Sequence, residues 1–248
     1  MTLELTSRRS AQTAVVVLAA AVVKLHYSAA GINQLRWILA PTTALVELVT
    51  GARFEFESHA GYINGERSFI IGAPCAGVNF LITAFLMLSL RRLWGERTRE
   101  TPWGFIPRVA LCAYVATLVA NAVRISTALR LRDAPLGADW LSPSQLHRFE
   151  GIFIYFGFLL LLFTLSEKMS ARGASGAEQT SGLRRRLFCL LLFYYATTLG
   201  VPLVNGAYRQ GADFWEHSLF VVLTPLLLIL PLVAFRFYRD TRPHGRGA

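Results

Sequence analysis

Charge is what this chain has little of. Only 16% of its 248 residues are Asp, Glu, Lys or Arg, 54% are hydrophobic, and the mean hydropathy is +0.43. A water-soluble domain of this size does not need so much apolar material to fill its core, so a membrane becomes the expected solvent. Acidic residues are the scarcer sign, 15 against 25 basic. The basic residues sit between apolar stretches rather than on one soluble face, which argues against nucleic acid as a partner. Cysteine is scarce too: Cys75, Cys112 and Cys189 are an odd number without CxxC spacing, which argues against a disulfide framework. The chain has no HExxH for zinc and no GxSxG for a serine nucleophile, which leaves zinc and serine protease classes little support; no metal or cofactor is expected. No repeat of 20–50 residues is present.

What is there is a series of long apolar runs. Six, at 11–30, 69–90, 105–125, 149–167, 187–204 and 218–237, approach the roughly 20 residues that carry a helix across a hydrocarbon core. The run 38–49 is shorter and holds Pro41 and Glu47, so it reads as a re-entrant or interfacial helix. Residues 8–23, two arginines before an apolar stretch, resemble a secretory signal. The apolar character resumes beyond Lys24, however, which favours an uncleaved first span. With the N-terminus inside, sixteen of the 25 Lys and Arg lie on the inner side: Arg8, Arg9, the 91–108 group, Lys168, Arg172, Arg184 to Arg186 and the 236–246 tail. The positive-inside rule supports that orientation. The expected fold class is therefore all-α: a polytopic membrane helical bundle of about six spans plus the short helix.

The organisation is a single membrane domain over 1–248, with two C-terminal spans at 187–240. Residues 53–71 hold two alternating segments around a Gly/Asn-rich centre and predict a small extracytoplasmic hairpin. Residues 168–186 are small, polar and finally basic, as in a flexible cytoplasmic linker.

Three polar clusters interrupt the apolar pattern, all near outer span ends in this orientation. In "APCAG", Pro74 suits the first turn of a helix. Cys75 would then lie among free N–H groups at a positive helix end, which favours the thiolate, the nucleophilic form. Gly77 leaves the turn open to close approach. In "NAVRIS", Asn121 and Arg124 are three apart on one helical face. An ionisable group at that level is a functional candidate, whereas Arg130 and Arg132, farther out, read as headgroup contacts. In "SPSQLHRFEG", Ser142, Pro143 and Gln145 form a helix start. This puts His147 in the first two turns of the next span, with Gly151 one turn deeper on the same face. Cys112 and Cys189 read as small buried hydrophobes.

The trio "CAG" at 75–77, "NAVRI" at 121–125 and "HRFEG" at 147–151, in that order and each beside a span, resembles the exosortase/archaeosortase family of membrane cysteine transpeptidases, most closely its exosortase K type. The similarity covers about residues 24–167. It implies that Cys75 is the nucleophile and that Arg124 and His147 are the other essential residues, with Gly77, Asn121 and Gly151 in support. It further implies a bacterial cytoplasmic (inner) membrane protein with its active site on the extracytoplasmic side. The substrates implied are membrane-anchored precursors bearing a C-terminal sorting signal of short motif, transmembrane helix and basic cluster. The new C-terminus would pass to an acceptor that is unknown. Chemically, Cys75 can form a thioester, while His147 and Arg124 divide between them proton transfer and oxyanion stabilisation. A guanidinium suits the electrostatic role better. The rival reading is a non-enzymatic small transporter or scaffold that uses Lys24, Glu47, Arg124 and Glu167 as membrane-level charges.

Overall fold

Apolar runs of this length can satisfy their backbone N–H and C=O groups in hydrocarbon only by closing them into helices, and helices dominate the chain. The computed structural model describes residues 2–65, 69–95, 101–132, 143–171, 182–200, 203, 209 and 211–241. Among these residues the α-helices are, in order, α1 (Thr2–Ala29), α2 (Arg36–Thr50), α3 (Val78–Gly95), α4 (Phe105–Arg132), α5 (Pro143–Ala171), α6 (Gly182–Tyr195) and α7 (Ala212–Thr241). Among the described residues, five helical segments are long and apolar enough to cross a membrane: Thr6–Ala29, Ala73–Trp94, Phe105–Leu131, Arg148–Met169 and Phe214–Pro231. Large apolar side chains point outward along them, among them Leu18, Leu25, Leu111, Leu161 and Leu227. Helices that are apolar on their outer faces as well as in their core match a lipid surround. The molecule is thus a helical, membrane-embedded bundle.

Two cores hold it together. The larger joins α1, α3, α4, α5, α6 and α7 through side chains such as Val16, Phe80, Met87, Phe156, Leu159 and Leu190. The smaller gathers Leu35, Ile38, Leu39 and Val46 against Ile71, Ala76, Val78, Ala122 and Ile125, and so locks α2 and the start of α3 onto α4. α2 is 15 residues long, about 22 Å, too short for a core of roughly 30 Å. It ends at left-handed Gly51 and turns Trp37, Leu48 and Val49 outward while burying Ile38, Leu39 and Val46.

The structure departs from the sequence reading in several places. The hairpin is a three-stranded antiparallel sheet: β1 (Phe54–Glu57), β2 (Gly61–Asn64) and β3 (Ile70–Ile71) in the order 1-2-3. Gly61 opens β2 with φ +115°, and a Cβ there would stand 2.5 Å from the Ile71 carbonyl oxygen. Only a glycine lets the third strand come so close. Glu47 at the end of α2 accepts the Phe54 N–H at 2.8 Å and so ties the sheet to the bundle. The linker 168–186 is shorter than expected, because α5 runs to Ala171 and α6 starts at Gly182. Lys168, Met169 and the Arg184–Arg186 run are good helix formers and extend the two helices; residues 172–181 lie outside the described residues. Of the expected span 187–204, the apolar helical part among the described residues is Leu190–Gly200, which ends in a π-turn at Ala196–Gly200. Cys112 is exposed, beside outward-facing Leu111 and Val115, and is not a buried hydrophobe. The side chain of Cys189 lies outside the described residues.

Candidate functional site

β3 delivers the chain through Gly72 into a short 3-10 turn, Ala73–Ala76, that carries Pro74 and Cys75. The turn stops at Gly77, whose φ of +69° is left-handed, and α3 begins only at Val78. Cys75 therefore does not occupy the first turn of α3 with a free N–H, as the sequence suggested. Its N–H donates to the Gly72 carbonyl at 2.9 Å. The physical reason is Gly77, since a left-handed residue cannot continue a right-handed helix. Two neighbouring helices hold the turn by its carbonyls. The Tyr27 hydroxyl of α1 donates to the Ala73 oxygen at 3.2 Å, and the Asn121 side-chain amide of α4 donates to the Cys75 oxygen. The thiol itself is free and half-buried.

Asn121 and Arg124 share one face of α4, and both reach Tyr155 of α5. Arg124 Nη1 donates to Tyr155 Oη at 2.9 Å, and Tyr155 Oη donates to Asn121 Oδ1 at 2.8 Å. Asn121 is fully buried, and a buried amide needs both ends paired; here both are. The guanidinium also lies over the Tyr155 ring, 5.4 Å from its centroid, and within electrostatic reach of Cys75 and Glu150. Both candidate glycines adjoin this contact. A Cβ on Gly77 would meet Tyr155 Oη at 3.2 Å and Asn121 at 3.3 Å, and one on Gly151 would meet Arg124 Nε at 3.4 Å. Gly77 thus admits the protein's own side chains, whereas a Cβ at Gly151 would meet the Arg124 stem at ordinary contact distance.

These residues line or adjoin a cavity of about 440 Å³ bounded by α1, α3, α4, α5, the end of α6, the π-turn and α7. Its cationic side chains are Lys24, Arg124 and Arg148. Deeper walls are apolar at Ile152, Leu159 and Val221, with hydroxyls at Thr83, Thr197 and Thr198. Lys24 Nζ donates to Asn79 Oδ1 at 2.9 Å, and Arg148 pairs with Glu216 of α7 at 3.9 Å. Pro74 and Gly77, which flank the Cys75–Ala76 pair, are on the wall. The start of α3, the end of α4 and the start of α5 therefore meet at one end of the bundle. His147 lies in α5, one turn before Gly151; its side chain, like Ser142 and Gln145 of the expected cap, lies outside the described residues. Pro143 is the first helical residue.

The charges of the rival reading disperse. Lys24 and Arg124 line the cavity. Glu47 is engaged by the sheet. Glu167 pairs with Arg91 at 3.8 Å, and 16 residues of α5 separate it from Gly151, about 24 Å along the axis. Arg91 also donates to the Phe163 carbonyl and to Ser166 Oγ, so that pair belongs to the other end of the bundle.

Tyr155, like Tyr27, is a site residue the sequence did not mark. In "GIFIYFGF" it reads as one more aromatic in an apolar run. The available signal was spacing: His147, Gly151 and Tyr155 recur every four residues, as on one face of a helix. Comparison of the chain with family models, with curated proteins and with solved structures found no match.

Proposed function

We propose that the protein is an exosortase-type membrane cysteine protease and transpeptidase. Cys75 attacks a peptide carbonyl in a C-terminal sorting signal of a secreted precursor. The tetrahedral adduct collapses to a thioester and expels the amine of the downstream helix-bearing segment. An acceptor nucleophile then takes the acyl group and restores the thiol. Arg124 presents its fork to the oxyanion, and His147 moves the proton from thiol to leaving amine. The site faces the extracytoplasmic side of a bacterial inner membrane, with six crossings and α2 as a re-entrant helix.

The observation that carries this reading is one contact set. A free cysteine sits on a turn whose carbonyls are pinned from two helices, linked through Asn121 and Tyr155 to a guanidinium that is itself held, beside a cavity that Pro74, Gly77 and Arg124 line. A transporter has no use for a thiol held in this way. The test is processing of a reporter with an apolar C-terminal helix and basic tail, compared at equal amounts of inserted protein. Cys75→Ala and His147→Ala are expected to abolish processing; wild-type processing by either removes that residue from the mechanism.

A further inference from the structure

Resting on that reaction, we infer that Tyr155 is a positioning residue for it, one hydroxyl that aims the Arg124 guanidinium and fixes the backbone of the nucleophile. A phenol carries one proton and two lone pairs. Tyr155 spends the proton on Asn121 Oδ1 and receives Arg124 Nη1–H. With Oδ1 turned to Tyr155, the amide nitrogen of Asn121 faces the Cys75 carbonyl, to which it donates. Guanidinium, phenol, amide and nucleophile backbone therefore form one directed chain in which each link determines the orientation of the next.

The ring is held as firmly as its hydroxyl. It packs on Phe80 of α3 with centroids 5.1 Å apart and lies under the guanidinium. Gly77 stands where a Cβ would press on the phenol oxygen at 3.2 Å and on Asn121 at 3.3 Å, at a left-handed φ of +69°. Because Tyr155 Oη already donates to Asn121, it has no proton left for substrate. It acts through Arg124 and Asn121, and a displacement of either by about 1 Å is enough to slow chemistry a hundredfold.

Tyr155→Phe keeps the ring and removes only the hydroxyl. Measured on purified, membrane-reconstituted protein with the reporter, kcat is expected to fall on the order of ten- to a hundredfold with KM within about twofold, since the chain orients groups rather than binding substrate. Asn121→Ala cuts the same chain one link further on and is expected to give a similar loss, with the double variant no worse than about threefold below either single. Residues acting as a unit are non-additive in this way, whereas a tyrosine that merely packs gives independent losses. Undiminished kcat in Tyr155→Phe, or losses that multiply in the double variant, overturns the positioning role and leaves the proposed reaction standing. Undiminished cleavage by Cys75→Ala overturns both.

Discussion

Arg124 is where geometry and bare charge can be separated. Nη1 is committed to Tyr155, so the proposed reaction needs a fork if a second donor is to face the developing oxyanion. Lysine keeps the charge but concentrates it at one point. Arg124→Lys is expected to lower reporter cleavage about a hundredfold or more at equal inserted protein. Near wild-type cleavage would mean that the arginine only anchors α4 at the headgroups, a task lysine does as well. Asn121 and Arg124 were legible in the sequence because a polar pair three residues apart in an apolar run stands out. Tyr155 was not, because its meaning lies in partners on another helix and no local spacing encodes a contact across the bundle. The free N–H expected at Cys75 failed for a related reason: Gly77 can be left-handed or helical, and the packing of Tyr155 and Asn121 against it decides which.

The sheet is the element that sets the Cys75 turn, because Ile71 of β3 is followed at once by Gly72, the acceptor of the Cys75 N–H. Gly61→Ala would force a Cβ to within 2.5 Å of the Ile71 carbonyl at a φ of +115°, a strain of order 1–3 kcal/mol before the clash is counted. The β2–β3 pairing is expected to open, with faster cutting of 54–71 by an added protease and reduced reporter cleavage. Gly65→Ala, where a Cβ meets nothing within 4 Å, is expected to change neither, and equal proteolysis of the two variants would show that the third strand does not depend on Gly61. The alternation in "RFEFE" made β1 legible. A two-residue strand such as β3 carries no periodicity of its own and forms because β2 offers it an edge.

For the whole molecule, composition and run length were enough for a helical membrane bundle, because hydrocarbon leaves the backbone few alternatives. Run length did less well at boundaries: the linker contracted where lysine and arginine prolonged α5 and α6, whereas the short helix read at 38–49 is α2, Arg36–Thr50. The bundle brings the start of α3, the end of α4 and the start of α5 to one cavity, and the proposed chemistry needs that cavity to hold an acylated Cys75. The direct measurement is to incubate reconstituted protein with the reporter, quench in acid and look by intact mass for the protein joined to the upstream part of the reporter. The adduct is expected to form, to be released by hydroxylamine as a thioester is, and to be absent with Cys75→Ala. Processing that proceeds at the wild-type rate in Cys75→Ala, with no such adduct in either protein, would contradict it.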